Sequence, residues 1–161
     1  MKSDLLQSFW SRFAKSMGEV RPSDQLYAIA EFGDSPKLAD ALGQLILERK
    51  KTATCSLLWE YEIAGESLPR AGKRSIVLNS AEVPLCIIET VSVEIRRFGD
   101  VDAKFAWEEG EGDRSLEHWR QVHLRFFSRS LHGTHRLLTE DTPLVCERFY
   151  LLYVDQPQDA K

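Results

Sequence analysis

Hydrophobic positions follow two different periods along the chain, and the change comes near residue 50. In the first part, apolar residues recur every three or four positions, as on one face of a helix: Leu5, Phe9, Phe13 and Met17. Pro22 predicts a short helix around residues 23–27. A longer helix is predicted to begin at Ser35 and Pro36, a capping residue followed by the residue favoured at the first helical position, and to end near Arg49.

After residue 50 the period becomes two, and four segments rich in Val, Ile, Leu and aromatic residues are predicted to be strands: 52–55, 74–78, 85–95 and 144–154. Helices are predicted between the last two strands, at 101–107 and 115–130. Strands and helices interleave irregularly, with too few β-α-β repeats for a doubly wound sheet. The predicted fold is therefore α+β, a small twisted barrel or half-barrel flanked by helices.

Composition agrees with one soluble globular domain. The chain has 161 residues, of which 43% are apolar and 29% charged, and its net charge of −4 excludes a protein that coats nucleic acid by bulk positive charge. Asp4 and Gln7 interrupt any secretory signal, and the longest apolar run, residues 149–154, is too short to cross a membrane. We therefore expect a cytoplasmic protein without a membrane span.

The spacing of the histidines does not favour a metal site, because two metal ligands on one helix need three- or four-residue spacing. Gly133 separates His132 from His135, and His118 and His123 are five residues apart, which turns them away from one another on a helix. His123 lies in an apolar stripe, which is typical of a hydrogen-bonded core histidine. The odd number and wide spacing of the cysteines predict reduced, buried thiols rather than a disulfide scaffold: Cys55, Cys86 and Cys146.

Charge is segregated in the second half of the chain. Residues 100–113 hold six carboxylates and one lysine, whereas residues 115–136 hold four arginines and one glutamate. Such faces are usually only solvated helix surfaces, although they would also let an acidic protein present a local basic strip.

A candidate reactive set lies where the helix near Arg49 gives way to a strand. Lys51 is followed three residues later by Thr54, and a lysine whose charge is penalised by burial can act as a base for a hydroxyl nucleophile. A carboxylate would complete the set by moving a proton to the leaving group, and Glu108, Glu109 and Glu111 are the candidates.

Two stretches of the sequence resemble the ASCH domain (activating signal cointegrator homology), a relative of the PUA-like RNA-binding barrels. They are LILERKKTATCSL and ETVSVEIRRFGDVDAKFAWEEGEGDRSLEHWRQVHLRFF. The first motif of that family reads Gly-x-Lys-x-x-Thr-x-Arg. Lys51 and Thr54 match it, whereas Arg49 stands in place of the Gly and Ser56 in place of the Arg, which removes an anion clamp.

The resemblance implies a small PUA-like β-barrel of five or six strands with flanking helices. It divides the chain into a helical N-terminal extension (1–35), the ASCH domain (36–154) and a disordered tail (155–161). It also implies RNA or a modified nucleoside as the partner, bound near Lys50, Ser56, Trp59 and Arg114.

Three functions follow from the resemblance. The first is a ribonuclease acting on single-stranded RNA with Lys50 and Lys51, and only this function would call for a divalent metal ion, on Glu109 or Glu111. The second is a hydrolase that deacetylates N4-acetylcytidine, an amidohydrolase with Thr54 as nucleophile, Lys51 as base and Glu109 as acid. The third is a module that binds RNA or a nucleotide without catalysis.

Overall fold

The structure, a computed structural model, describes residues 2–18 and 27–155. These residues form five α-helices, a short 3-10 helix (Phe98–Asp100) and five strands. The helices are α1 (Lys2–Ser16), α2 (Pro36–Leu47), α3 (Leu58–Ala64), α4 (Ala103–Glu109) and α5 (Leu116–Leu131). The strands are β1 (Tyr27–Ala30), β2 (Ala53–Leu57), β3 (Arg74–Leu78), β4 (Pro84–Arg97) and β5 (Pro143–Tyr153).

The strands form one mixed sheet in the order β1-β3-β4-β5-β2. Strand β1 pairs with β3 in parallel, whereas β3 pairs with β4 and β2 with β5 antiparallel. The α+β class is confirmed. The sheet is open among the described residues, with the short strands β1 and β2 at its edges, so a closed barrel is not shown, although the arrangement is compatible with a PUA-like fold.

Most predicted elements are present with shifted ends. The cap and proline before α2 act as expected, since Ser35 Oγ accepts a hydrogen bond from the Leu38 N–H and Pro36 opens the helix. Two elements were missed. Strand β1 lies inside the segment predicted to be a helical extension, and α3 begins after Leu57 without a side-chain cap. The predicted helix at 23–27 lies outside the described residues except for Tyr27, which begins β1.

The chain divides into two units, and the first comprises residues up to Arg49, Gly72–Glu89 and the chain from Tyr150 onward. Its core forms because α1 presents an apolar stripe to two strands. The buried members are Leu6, Phe9, Trp10, Phe13, Ile76, Leu78 and Ile87. Asp155, the first residue of the predicted disordered tail, accepts a hydrogen bond from Arg12 Nη2 at 2.7 Å, and residues 156–161 lie outside the described part.

The second unit comprises Lys50–Ala71 and Thr90–Phe149. Its core lies between one face of β2 and β5 and the helices α4 and α5. The buried members include Ala53, Leu57, Phe105, Trp119, Phe127, Leu144 and Cys146. All three cysteines are free thiols, Cys86 and Cys146 being buried and Cys55 partly buried.

Within the described residues, no helix combines the length and the apolar character that crossing a membrane requires.

Candidate functional site

The start of β2 is joined to the end of α4 by backbone contacts. The Thr52 N–H donates to the Glu108 carbonyl at 2.7 Å, and the Phe149 N–H donates to the Thr52 carbonyl at 2.9 Å. Gly110 ends α4 with a φ of 77°, and a Cβ on it would lie 2.4 Å from the Lys50 carbonyl oxygen. Only glycine fits at this position, and the close contact between the two backbone segments brings Lys51 beside Glu109.

Lys51 is only 2% exposed, and its ammonium is fully engaged. Nζ donates to the Ala53 carbonyl at 2.9 Å, to the Glu109 carbonyl at 3.4 Å and to Glu111 Oε2 at 3.2 Å. Burial opposes the charged form, but the charges of Glu109 and Glu111 and the hydrogen bond to Glu111 raise the pKa of Lys51 above its ordinary value. The side chain is therefore held as an ammonium, whereas a general base must be neutral.

Glu109 is 1% exposed and receives several donors. Its Oε2 accepts hydrogen bonds at 2.8 Å from Trp119 Nε1 and at 2.8 Å from His123 Nε2. Burial opposes the charge of Glu109, but Lys51, His123 and Trp119 outweigh burial and hold the pKa of this carboxyl well below its usual range. The carboxylate is thus the centre of a buried charged network.

His123 completes the network from α5. Its Nδ1 donates to the Trp119 carbonyl at 2.8 Å, and its ring stacks on the Trp119 ring with the centroids 4.2 Å apart. Burial opposes the charged form of His123, but the hydrogen bond with Glu109 raises its pKa above the ordinary value. The prediction of a hydrogen-bonded core histidine is confirmed. Sequence reasoning missed that its partner is Glu109.

The alternation of side chains along β2 separates Thr54 from the other two members of the predicted reactive set, Lys51 and Glu109. Successive side chains of a strand point to opposite faces. Cys55 packs against the core with Ala53 and Leu57, and we call this the Cys55 face of β2. Thr54 and Ser56 therefore lie on the other side, the Thr54 face. The structure brings Lys51 and Glu109 together on the Cys55 side and does not bring Thr54 to them.

The Thr54 face carries its own polar groups. Thr54 stands directly opposite Glu147 of β5 in the antiparallel ladder, so the two side chains share a face. Thr90 Oγ1 donates to Glu147 Oε1 at 2.5 Å, and Ser56 Oγ donates to the Tyr61 hydroxyl at 3.4 Å. Apart from buried Thr90, these side chains are half-buried.

Comparison with known proteins identifies this architecture. A family model described as the ASCH domain matches residues 28–153. The chain belongs to the ASCH domain family. Membership is compatible with RNA binding. None of the curated proteins matches this sequence.

Two solved ASCH-like structures are similar to this chain over most of its length. The crystal structure of protein EF3133 from Enterococcus faecalis V583 has 34% sequence identity and a TM-score of 0.84, and the match covers 94% of this chain and 90% of that one. The crystal structure of an ASCH domain from Lactobacillus crispatus JV V101 has 34% identity and a TM-score of 0.79, with 93% and 92% covered.

Of the remaining predicted contact residues of this ASCH domain, Arg114 contacts the main chain of Lys50, whereas Trp59 lies apart from them. Arg114 Cζ stacks 3.6 Å from the Trp107 ring centroid, while Nε and Nη2 donate to the Trp107 and Lys50 carbonyls at 3.0 and 3.3 Å. Lys50 itself is exposed. Trp59 is half-buried against the core, with Arg136 Cζ 4.4 Å from its ring centroid. Arg114 therefore braces the loop after α4, and Trp59 packs against the core on the Cys55 side of β2.

The basic strip of α5 is partly structural. Arg120 donates to three backbone carbonyls, those of Phe98 and Gly99 at 3.1 Å and that of Val101 at 3.0 Å. Arg125 and Arg129 are exposed. The acidic segment is also engaged, since Arg97 pairs with Asp100.

The two carboxylates predicted as metal ligands are engaged with protein donors. Glu109 accepts from Trp119 and His123, and Glu111 accepts from Lys51. They do not form an open carboxylate pair of the kind that holds Mg²⁺ together with several waters. Glu108, the third candidate, bonds Arg148 Nε at 2.7 Å.

Proposed function

We propose that this ASCH domain binds single-stranded RNA or a modified nucleoside by hydrogen bonding to one nucleobase on the Thr54 face of β2. The observation that carries the proposal is the separation of the two faces. The strongest charges predicted for the site, Lys51 and Glu109, are occupied within the core. The hydroxyls and the carboxylate on the Thr54 face are half-buried and remain in reach of a ligand.

The chemistry of the Thr54 face suits a base edge better than a phosphate. Thr54 and Ser56 can each donate and accept, and Tyr61 adds an aromatic ring with a hydroxyl. Glu147 offers a carboxylate, which accepts from the exocyclic amine of cytosine. The family motif has an arginine where Ser56 stands, so the cation expected to clamp a phosphate is absent from that position. RNA readers commonly splay out single bases and stack them on aromatic side chains.

Cleavage of RNA by Lys50 and Lys51 has less support. To hold a scissile phosphate, the Lys51 ammonium would have to leave the Ala53 carbonyl, the Glu109 carbonyl and Glu111 at the same time. We therefore favour RNA or nucleoside binding over RNA cleavage. A ribonuclease would need a rearrangement of the hydrogen bonds around Lys51.

A second candidate function is the amidohydrolase, and one observation favours it. Thr54 faces Glu147 directly across the ladder, so a nucleophilic hydroxyl has a carboxylate beside it that can take its proton in place of Lys51. Thr54 Oγ1 would attack the acyl carbonyl, the amine would leave with a proton, and water would hydrolyse the acyl-threonine.

The test measures affinity and turnover in the same mixtures. Fluorescence anisotropy with a labelled single-stranded RNA and calorimetry with cytidine and N4-acetylcytidine give affinities at low and high salt. Thr54→Val and Glu147→Gln should weaken binding about tenfold, because the first removes a hydrogen-bonding hydroxyl and the second replaces a charged acceptor by a weaker neutral one. Arg125→Gln, on exposed α5, is the matched control and should change little.

Two outcomes would overturn base recognition. One is binding that Arg125→Gln abolishes and Thr54→Val leaves intact. The other is affinity that falls with salt as steeply as several phosphate contacts require. Chromatography of the same mixtures decides turnover: cytidine and acetate formed by wild type but not by Thr54→Ala support the amidohydrolase, and RNA fragments lost in Lys51→Ala support the ribonuclease.

A further inference from the structure

Three potential metal ligands from three separate elements meet on the Cys55 face. One ligand atom each from Cys55 of β2, Glu109 of α4 and His123 of α5 lie within 4.8 Å of one another. The three residues are far apart in the sequence, so no motif of closely spaced ligands predicts this cluster. This cluster lies on the opposite side of β2 from Thr54 and is independent of the proposed nucleobase site.

The hydrogen bond that His123 makes through Nδ1 fixes the orientation of its ring. A carbonyl can only accept, so Nδ1 carries a proton and donates it to the Trp119 carbonyl at 2.8 Å. Nε2 is thereby aimed at Glu109 Oε2, which is 2.8 Å away. Metal-binding histidines characteristically donate their other ring N–H to a backbone carbonyl or carboxylate, which sets the tautomer and the ring plane.

The proton that His123 Nε2 donates to Glu109 Oε2 occupies a position that a metal ion bound by both atoms can take. A neutral imidazole with its proton on Nδ1 presents a lone pair at Nε2, and the Glu109 carboxylate also only accepts. Either a proton on Nε2 or a metal ion bound by both atoms satisfies the pair. The adjacent Cys55 thiol, which also hydrogen-bonds to Glu109, supplies a third ligand for a metal ion.

We propose that Cys55, Glu109 and His123 bind a zinc ion. Thiolate, imidazole and carboxylate are the three protein ligand types of zinc, with bonds of about 2.0–2.3 Å. Tetrahedral ligands at such bond lengths lie roughly 3–4 Å from each other, so the three side chains reach one ion with small rotations. Three protein ligands leave the fourth position for a water molecule or a further donor.

The exchange of two protons for one zinc ion conserves charge. Zinc brings two positive charges, and it displaces the thiol proton of Cys55 and the proton shared by His123 and Glu109. The two protons leave to water, no electrons move, and the net charge of the cluster is unchanged. Lys51 keeps its partner Glu111, so the ion does not leave this buried ammonium without a carboxylate.

The test uses the full chain purified without a polyhistidine tag. Zinc content by mass spectrometry after dialysis, zinc affinity by competition with a chromophoric chelator, and the visible spectrum of the cobalt(II) form are measured. We expect one zinc per chain, a cobalt spectrum with thiolate charge-transfer bands, and a thermal unfolding midpoint that rises with zinc concentration.

Matched variants separate the site from surface binding. Cys55→Ala should lose the charge-transfer bands and weaken zinc binding at least about tenfold, since one of three ligands is gone. Cys86→Ala, which removes another buried thiol, and His132→Ala, which removes an exposed histidine, should bind zinc as wild type does. Wild-type protein that takes up no zinc, or a Cys55→Ala variant with unchanged affinity and cobalt spectrum, would overturn the proposal.

Discussion

The two faces of β2 carry polar residues in opposite ways. On the Cys55 face, Lys51 and Glu109 are almost completely buried. Lys51 is held by Ala53 and by the end of α4, and Glu109 by Trp119 and His123 of α5. On the Thr54 face, Thr54 and Ser56 carry no charge and are half-buried, and the facing Glu147 has Thr90 as its partner. The residues that look most reactive in the sequence are thus the ones the fold encloses.

This difference shows why residue type alone is a poor guide to a site. A buried ion network needs every partner in place, because an unpaired charge in the core is far more costly than a surface pair is useful. A half-buried hydroxyl loses little when it exchanges water for a ligand. Substitutions on the Cys55 face should therefore act on stability, and those on the Thr54 face on binding.

The largest expected effect is the loss of the Glu109 charge. Glu109→Gln leaves His123 without its carboxylate partner and removes a nearby charge that favours the Lys51 ammonium. Breaking one partner of a buried pair costs about 3–5 kcal/mol. Glu147→Gln on the other face should cost about 1 kcal/mol. Urea unfolding of both variants with a chelator present measures the two free energies of unfolding, and equal losses would contradict the contrast between the faces.

Gly110→Ala tests the close backbone contact between Gly110 and Lys50 that places Lys51 beside Glu109. The added Cβ meets the Lys50 carbonyl, and the positive φ adds strain, so we expect a loss of about 2–3 kcal/mol. Gly65→Ala is the matched control, because Gly65 also ends a helix with a positive φ but has open space around it, and it should lose only about 1 kcal/mol. A difference near zero in thermal or urea unfolding would show that the contact with Lys50 is unimportant.

Trp119→Phe removes one donor from Glu109 and keeps an aromatic ring in the core. Hydrogen bonds to charged groups contribute about 1.5–3 kcal/mol, so the free energy of unfolding should fall by about 2 kcal/mol. Trp107→Phe changes a residue that is 57% exposed and should stay within about 0.5 kcal/mol of wild type. If both variants unfold at the same urea concentration, the indole N–H is not a significant partner of Glu109.

The smallest effect concerns the cap of α4, the helix that delivers Glu109. Asp102 Oδ1 accepts from the Phe105 N–H at 2.9 Å, and this bond, together with Arg96, lowers the pKa of Asp102. Asp102→Ala should cost about 1 kcal/mol at pH 7.

The pH dependence of this cap has a definite sign. Because the pKa is lower in the folded state, the contribution of the charge is present above the unfolded value near 4 and is lost as pH falls through the folded pKa. The difference between Asp102→Ala and wild type should therefore shrink in acid. A difference that grows there would contradict the role of the Asp102 charge.

Much of the fold follows from local patterns, and the misses have local causes. The Ser35–Pro36 start and the alternation along β4 and β5 are encoded in neighbouring residues. Strand β1 is four residues long, and it is defined by its parallel pairing with Arg74–Leu78, a partner that no nearby residue specifies. Helix α3 has no polar cap and contains Trp59 and Tyr61, which are weak helix formers.

The candidate site was predicted in part. Spacing and family resemblance pointed to Lys51 and Glu109, and the structure places them together. Grouping Thr54 with them neglected the two-residue period of the strand, which turns Thr54 to the face opposite Cys55. The roles of Trp119 and His123 depend on how α5 packs on α4, and their periodicity alone indicates only core positions.

The interleaving of the two units along the chain has a consequence for biosynthesis. Each unit needs part of β5, because one closes with Pro143–Phe149 and the other with the chain from Tyr150 onward. A ribosome adding ~5–20 residues per second takes on the order of ten seconds to pass from α1 to β5. During that interval Phe9 and Phe13 of α1 lack Tyr153, the ring they meet in the finished core. Neither unit can complete its core before β5 has been synthesised, so a shorter nascent chain leaves apolar side chains of α1 without this partner.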